Sequence, residues 1–221
     1  MSPIETRSVR EQVYDQLHAW IFDGTWSPGT RVDPNKVAAE FGVSKTPVQE
    51  AIQKLTAEGV LTVKPRSGTY VTEFDLEEMA DLFQFRLALE TGAAKAIIAG
   101  VTPQLLGALQ KATAAMQDAL ATSEKDARPT FLKLDAEFHN AIMSASGNSV
   151  IAQYYGRVNT LSFSSRQRRR FDRADFEATL VDHAQILSAL VARDVTAFRA
   201  ASVRHVENAI AKIRRVSALV D

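Results

Sequence analysis

Two short runs of β-forming residues, 60–63 and 69–72, interrupt a sequence whose spacing is otherwise typical of helices. The segment between them, Lys64-Pro-Arg-Ser-Gly68, has the composition of a turn, so the two runs are predicted to form a hairpin. Three stretches with helical spacing precede this hairpin, at about 6–23, 34–40 and 44–59. Three helices followed by a β-hairpin are the pattern of a winged helix-turn-helix.

The sequence changes character near residue 73, after which almost every stretch has helical spacing. Asp75-Leu-Glu-Glu78 resembles a capping box that begins a helix, and Thr102-Pro103 begins the next one. The six predicted helices cover about 75–99, 102–122, 129–146, 149–168, 175–192 and 194–217. Short connections between them indicate an antiparallel bundle. We therefore predict a mainly α fold, with a winged helix-turn-helix domain at 1–73 and an all-α bundle at 74–221.

The second helix of the helix-turn-helix is expected to read DNA, because the N-terminal part of this helix enters the major groove. Lys45 can contact phosphate or guanine, Thr46 can contact phosphate or a thymine methyl group, and Gln49 can pair with adenine. A lysine on the preceding helix and two wing cations are expected to contact the DNA backbone. The candidate set from these elements is Lys36, Ser44, Lys45, Thr46, Gln49, Lys64 and Arg66.

Each of these residues also has a simpler interpretation. Thr46 and Gln49 fit the spacing of a capping box, in which Gln49 would support the start of the helix rather than read a base. An exposed lysine is often only solvated. The whole arrangement is more specific than any one of its residues.

Net charge does not mark the chain as a DNA-binding protein. The sequence has 26 Lys+Arg and 26 Asp+Glu, and residues 1–73 hold eight basic and nine acidic side chains. Affinity for DNA must therefore come from the local placement of cations and from two copies acting in a homodimer. No stretch has the apolar length of a signal peptide core or a membrane span, so we expect a cytoplasmic protein without a membrane partner.

The segment Phe41-Gly-Val-Ser-Lys-Thr-Pro-Val-Gln-Glu-Ala-Ile-Gln-Lys-Leu-Thr-Ala-Glu-Gly59, followed by Pro65-Arg-Ser-Gly-Thr-Tyr-Val71, resembles the GntR family of bacterial transcription regulators. The resemblance implies that Gly68 is the wing glycine that lets the backbone approach the minor groove. Lys45 and Gln49 stand where the family usually has arginines. Because of this departure, the base contacts and the operator that are typical of the family are not carried over to this chain.

Four ionisable residues are predicted to project into the bundle core. Asp135 shares an apolar stripe at helical spacing with Phe138 and lies one turn before His139, while His183 and His205 lie on the apolar stripes of the last two helices. Burying four such groups without compensation costs several kcal/mol, which a bound cation would offset. The chain has no cysteine, so its metal ligands must be oxygen and nitrogen; this set suits a divalent ion, with Zn preferred and Ni, Fe or Mn as alternatives. A polar core network without metal remains the alternative.

The string Asp135-x-x-Phe-His139, with His183 and His205 downstream, resembles the FCD subfamily of GntR regulators, which includes FadR. The resemblance implies that these four residues bind a divalent metal inside the bundle. It also implies that Arg86 faces an effector pocket, and a guanidinium there suits a small carboxylate or hydroxy acid. We expect Asn159 to line the same cavity. An internal ion pair of Arg86 with Glu90 or Asp135 is the alternative.

One further basic run, Arg166-Gln-Arg-Arg-Arg170, lies at the end of a predicted bundle helix. We interpret it as a solvated helix end rather than a nucleic-acid patch, because cations are favoured at helix C-termini.

These observations predict a metabolite-responsive transcription regulator, a repressor in our interpretation, that binds a double-stranded DNA operator as a homodimer. A metal-dependent hydrolase or lyase using the same centre is the alternative, since such a metal could activate water. It would leave the winged helix unexplained. A purely structural metal is a third reading.

Overall fold

The computed structural model describes residues 7–22, 24–121, 124–166 and 171–217, and the chain divides into two compact units, Met1–Glu73 and Phe74–Asp221. Within the described residues, the first unit consists of helices and a three-stranded antiparallel sheet in the order β1-β3-β2. Its elements are α1 (Val9–Phe22), β1 (Arg31–Val32), α2 (Pro34–Phe41), α3 (Lys45–Ala57), β2 (Leu61–Lys64) and β3 (Gly68–Val71).

The predicted hairpin is confirmed, with each strand displaced by one residue from its expected position. Strands β2 and β3 pair so that Leu61 lies opposite Val71 and Lys64 lies opposite Gly68. Strand β1 was not expected from the sequence. It has two residues, too few to show an alternating pattern, and it exists only through its pairing with β3.

Local signals explain the helix-turn-helix formed by α2 and α3. Asp33 caps α2 by accepting a hydrogen bond from the Asn35 amide, and Gly42 ends the helix in the left-handed region at φ 64°. Ser44 is the N-cap of α3, although its side chain makes no capping hydrogen bond. Because α3 already begins at Lys45, Gln49 is not the closing residue of a capping box, and that interpretation of Gln49 is wrong.

The second unit is helical throughout its described secondary structure. Its helices are α4 (Leu76–Ala99), α5 (Pro103–Ala119), α6 (Glu124–Ser144), α7 (Ser149–Arg166), α8 (Arg173–Ala192) and α9 (Val195–Ser217). The capping box at the start of α4 is confirmed: the Asp75 carboxylate accepts from the Glu78 amide, and the Glu78 carboxylate accepts from the Asp75 amide. A second capping box, formed by Asp172 and Asp175, starts α8 slightly earlier than predicted.

The predicted start of α6 at Pro129 is wrong, because the helix begins at Glu124 and contains this proline. At the sixth position of the helix, Pro129 removes one backbone hydrogen bond and its ring crowds the carbonyl four residues earlier, so the rest of the helix must offset this cost. Ala127, two residues before the proline, is buried. The packed part of α6 therefore begins before Pro129.

Five of the described helices, α4, α6, α7, α8 and α9, contribute buried polar side chains to the interior of the bundle. Helix α4 packs against α6, α7 and α9, and α8 packs against both α5 and α9. Met79 and Phe83 of α4 form an apolar cluster with Val206 and Ile213 of α9. Among the helices of the described ranges, none combines the length and apolar character needed to cross a bilayer.

Candidate DNA-reading surface and metal centre

The start of α3 presents the predicted DNA-reading residues to solvent. Ser44, Lys45, Thr46 and Gln49 are all exposed. The opposite side of α3 is buried through its apolar residues, which fixes the orientation of the exposed side; these residues are Val48, Ala51, Ile52 and Leu55. Lys36 on α2 is exposed as well. The helix therefore offers the side chains that direct readout requires on a rigid support.

The wing carries the remaining predicted DNA contacts. Lys64 and Arg66 are exposed, and Arg66 lies in the left-handed region at φ 61°. Gly68 has a φ of 131°, which side chains rarely adopt, and a Cβ there would lie 3.2 Å from Nε of Arg31. Arg31 is exposed on β1 and adds a cation beside the wing glycine. Sequence reasoning missed it because the strand that positions it was not predicted.

Asp135, His139, His183 and His205 come together in the bundle interior, and all four are buried. One potential ligand atom from each lies within 4.8 Å of the others. Nε2 of His183 is 3.2 Å from Nε2 of His139 and 3.2 Å from Oδ1 of Asp135. Asp135 and His139 are both on α6, where their i, i+4 spacing places them on one side.

The electrostatics of this group favour the protonation states that bind metal. Burial, together with the charge of Arg86, lowers the pKa of His139 well below its ordinary value. Burial also lowers the pKa of His205 to about 4, against the opposing effect of Asp182. Burial would raise the pKa of Asp135, but the charge of Arg166 and the contacts with the histidines outweigh it and hold the pKa well below its ordinary value. The imidazoles of His139 and His205 are therefore neutral and the Asp135 carboxylate is ionised near pH 7.

The donor set fits a divalent metal ion. Oδ1 of Asp135 is buried and has no hydrogen-bond partner in the described part of the chain, although it faces the histidine rings. An unsatisfied buried acceptor costs about 1–3 kcal/mol, and a cation between the four ligand atoms would remove this cost. One carboxylate and three imidazoles suit Zn, and also Ni, Fe or Mn.

Two buried carboxylates lie behind the histidines, on the far side of their rings. Oδ2 of Asp182 is 3.6 Å from Nδ1 of His205, and Oε1 of Glu90 is 3.8 Å from Nδ1 of His139. Asn208 donates to both oxygens of Asp182 at 3.1 Å. Carboxylates in this position orient metal-binding imidazoles and raise their basicity. The sequence analysis did not select Asp182. Its position directly before His183 is the one feature of the sequence that indicates a role beside the histidines.

Arg86 is fully buried in α4, as its stripe predicted, and it forms the ion pair that was considered as an alternative. Its Nε donates to Oε1 of Glu90 at 2.8 Å, and Tyr155 donates to the same oxygen at 2.6 Å. Nη2 of Arg86 lies 3.4 Å from Nε2 of His205. Nη1 has no hydrogen-bond partner among the described residues. Arg86 therefore lies beside the candidate metal centre, and its Nη1 has no partner among the described residues.

Asn159 is also buried, on α7. Its Nδ2 donates to the Ala136 carbonyl at 2.9 Å and to Oδ1 of Asn140 at 3.0 Å, which ties α7 to α6. Its Oδ1 has no partner in the described part of the structure.

The interpretation of the basic run at 166–170 as a solvated helix end is wrong for Arg166, and residues 167–170 lie outside the described residues. Arg166 is 9% exposed and donates from Nη2 to Oδ2 of Asp135 at 2.7 Å. Helix α7 packs against α6, so Arg166 faces the bundle interior. Its place in a run of positive charges had indicated a solvent-exposed position instead.

A narrow cleft with about 30 Å³ of space adjoins the candidate metal centre. Arg166 and His205 line it, which connects it to the ligand group, and Lys212 lines it from α9. Neither Arg86 nor Asn159 is among its lining residues.

Comparisons with known proteins agree with both halves of this description. The family described as bacterial regulatory proteins, gntR family, matches residues 9–71, and the FCD domain matches residues 81–208. The uncharacterized HTH-type transcriptional regulator YdhC of Bacillus subtilis (strain 168) is 29% identical over 150 residues, which are 68% of this chain and 66% of that protein.

A second relative and a solved structure extend the similarity over nearly the whole chain. The HTH-type transcriptional repressor RspR of Escherichia coli (strain K12) is 26% identical over 216 residues, covering 96% of this chain and 91% of that protein. The structure of E. coli McbR/YncC has a TM-score of 0.79 at 22% identity, covers 95% of this chain and 99% of the other, and shows that the fold is shared. The resemblance found in the sequence is confirmed: this chain belongs to the GntR family of bacterial regulatory proteins and carries an FCD domain.

Proposed function

We propose that this DNA-binding transcription regulator is a metal-dependent repressor whose operator affinity responds to a small carboxylate. The observation that carries the proposal is the buried group of Asp135, His139, His183 and His205, in which an unpaired carboxylate oxygen faces imidazole nitrogens. RspR, 91% of whose length aligns with this chain, is named a transcriptional repressor. This name supports repression as the direction of regulation.

DNA recognition would use α3 and the wing. Lys45, Thr46 and Gln49 on the exposed side of α3 would meet base edges and phosphates in the major groove, while Lys36 and Ser44 would contact the backbone. Lys64 and Arg66 would contact phosphates beside the wing, where Gly68 allows close approach. Two such units in a homodimer would bind half-sites about one helical turn apart, which compensates for the low net charge of one copy. Since the partner is chromosomal DNA, we place this activity in the cytoplasm.

The metal would be held by the four converging residues and would supply a Lewis-acid position for an anionic effector. Glu90 and Asp182 would orient the rings of His139 and His205. Arg166 would keep one oxygen of Asp135 occupied, so that the other is directed towards the metal.

Arg86 and Asn159 are the proposed effector contacts from the sequence. The unpaired Nη1 of Arg86 and the unpaired Oδ1 of Asn159 support a polar ligand beside the metal. The dimer would have two arrangements that differ in operator affinity. An effector that binds one arrangement more tightly would shift the dimer towards it, by at most the difference between its two binding free energies. Arg86 lies on α4, the first helix after the DNA-reading unit, and this continuity supports coupling along the chain.

The alternative of a metal-dependent hydrolase or lyase is not favoured, because the family and the matched relatives are transcription regulators and not enzymes.

The test is operator binding by the full-length protein with and without metal, measured by fluorescence anisotropy on DNA selected from random sequence. We expect His139→Ala to lose metal and to lose the response to added carboxylates. His18→Ala is the matched control, since His18 is the one histidine outside the ligand group, and it should retain the metal. Unchanged metal content in His139→Ala, or an operator affinity that no carboxylate changes, would contradict the proposal.

A further inference from the structure

The three-stranded sheet of the first unit has cations on the solvent side of both outer strands. Directly opposed residues of antiparallel strands lie on the same face of a sheet, so Arg31 of β1 shares a face with its partner Tyr70 of β3. Lys64 of β2 lies opposite Gly68 on that face, and its Nζ is 5.0 Å from the centre of the Tyr70 ring. The neighbouring residue Val32 is buried on the other face, so both cations are directed away from the core.

The guanidinium of Arg31 lies against the end of the hairpin. Its Nε is 3.2 Å, and its Cζ 3.8 Å, from the position that a Cβ of residue 68 would occupy. A side chain at position 68 would crowd the guanidinium, and glycine also adopts the φ of 131° more readily than other residues. Gly68 therefore leaves the space that allows Arg31 to reach the turn that carries Arg66.

This end of the sheet has cations without carboxylates to balance them. Residues 59–72 contain no aspartate or glutamate, whereas Arg31, Lys64 and Arg66 are three of the eight basic side chains of the first unit. Among the described residues, no carboxylate lies within ion-pair distance of these three cations. The Asp33 carboxylate, which is close to Arg31 in the sequence, caps α2 instead. Such a local excess of positive charge in a unit that is acidic by one charge favours binding of a polyanion.

We infer that Arg31 binds a DNA backbone phosphate beside the wing, and that Gly68 positions its guanidinium for this contact. A guanidinium can donate two parallel hydrogen bonds to a phosphate, and that of Arg31 makes none within the described part of the chain. The inference rests on the wing contacts of the proposed function and does not depend on the metal or on the effector. It gives Gly68 a second role besides the close approach of its backbone to DNA.

The test is fluorescence anisotropy of the full-length protein on its selected operator and on an unrelated duplex, at several salt concentrations. Arg31→Ala should weaken binding to both duplexes about tenfold and reduce the slope of log K against log salt by about 0.9 for each bound wing. Arg31→Lys keeps the charge without the paired donors and should lose less, about threefold. Arg204→Ala, at an exposed position of α9, is the matched arginine control and should retain the parental affinity and slope.

A double-mutant cycle tests the role of Gly68. Gly68→Ala should weaken operator binding in the parent protein and should have a smaller effect in the Arg31→Ala background, where the guanidinium is already absent. Thermal unfolding of each variant identifies any folding defect, and Arg31→Lys keeps the comparison available if the alanine variant is unstable. Losses that multiply independently would overturn the positioning role of Gly68.

Two results would overturn the phosphate contact itself. One is parental affinity and salt dependence in Arg31→Ala. The other is a loss confined to the selected operator, because a phosphate contact is independent of sequence. A parent protein that selects no operator would instead count against the proposed function, while the unrelated duplex would still measure the contribution of Arg31.

Discussion

Arg166 donates a hydrogen bond to Oδ2 of Asp135 at 2.7 Å, and the other oxygen of that carboxylate, Oδ1, faces His183 at 3.2 Å. Both side chains are buried, so the pair is a buried ion pair beside the proposed metal. The guanidinium occupies one oxygen and leaves the other directed at the imidazoles. Helix α7 thereby supports the proposed metal centre, to which it contributes none of the four candidate ligands.

Replacing Arg166 by methionine should destabilise the metal-free protein strongly. Removing one partner of a buried ion pair leaves an uncompensated charge, which typically costs about 3–5 kcal/mol of unfolding free energy. The loss should be smaller in the metal-loaded protein, where the cation compensates Asp135. Denaturant unfolding of both forms measures this difference. Glu177→Gln is the control, because its ion pair with Arg173 is exposed and is worth no more than about 1 kcal/mol. Equal, small losses for the two variants would show that the buried pair has no such role.

Replacing Asp182 by asparagine should weaken metal binding without removing a ligand. The carboxylate lies 3.6 Å from Nδ1 of His205 and is held by Asn208, so it orients the ring and raises its basicity. Loss of such a partner typically reduces metal affinity about 10–100-fold. Competition with a fluorescent zinc chelator measures the affinity.

Glu207→Gln, an exposed substitution on α9, is the control for Asp182 and should keep the parental affinity. Asn208→Ala should produce a smaller loss than Asp182→Asn, because it frees the carboxylate without removing it. An affinity for zinc that is the same in Asp182→Asn as in the parent protein would show that this carboxylate does not act on the centre.

Much of the fold was predictable because its signals are local. The capping box of Asp75 and Glu78 can be identified from four consecutive residues, and the turn at 64–68 separates two clear β-forming runs. Strand β1 was not predictable in this way, since its two residues acquire their structure only by pairing with β3. The convergence of His183 and His205 on Asp135 and His139 was predictable because these two histidines interrupt apolar stripes on α8 and α9.

Apart from Asn159, the contribution of α7 was missed because the buried stripe that carries Arg166 is largely polar. Tyr155, Asn159, Ser162 and Arg166 recur at helical spacing and are all buried. Hydropathy assigns such residues to the solvent side, so Arg166 was interpreted as part of a solvated helix end. Their burial depends on partners from α4 and α6, such as Glu90 and Asp135, which are remote in sequence. The burial of these four residues could have been predicted from their helical spacing alone, without regard to their polarity.

The two departures from the usual family sequence should have different effects on DNA binding. Lys45→Ala should weaken binding to all sequences and reduce the salt dependence by about one phosphate contact. Gln49→Ala should instead relax the preference at one base pair, at a cost of about 1–3 kcal/mol on the preferred operator. Anisotropy titrations at several salt concentrations, on preferred and substituted operators, distinguish the two.

Lys95→Ala, at an exposed position of the FCD domain, is the control for these titrations and should leave operator affinity unchanged. If Gln49→Ala weakened binding uniformly on every sequence, its assignment to base readout would be wrong. A Lys45→Ala variant with the parental salt dependence would likewise remove Lys45 from the set of phosphate contacts.

Two glycines of the FCD domain offer a test of the packing between α4 and α6. A Cβ added at Gly100, which follows α4, would lie 1.9 Å from the Ala145 carbonyl oxygen, so the backbone of one segment would have to move. Gly100→Ala should therefore lower the unfolding free energy by about 1–3 kcal/mol. Gly92 lies within α4 with nothing near its Cβ position, and Gly92→Ala should raise the unfolding free energy by about 0.5–1 kcal/mol through helix propensity. Chemical unfolding of both variants measures the two signs, and a gain in stability for Gly100→Ala would contradict the close approach of these two segments.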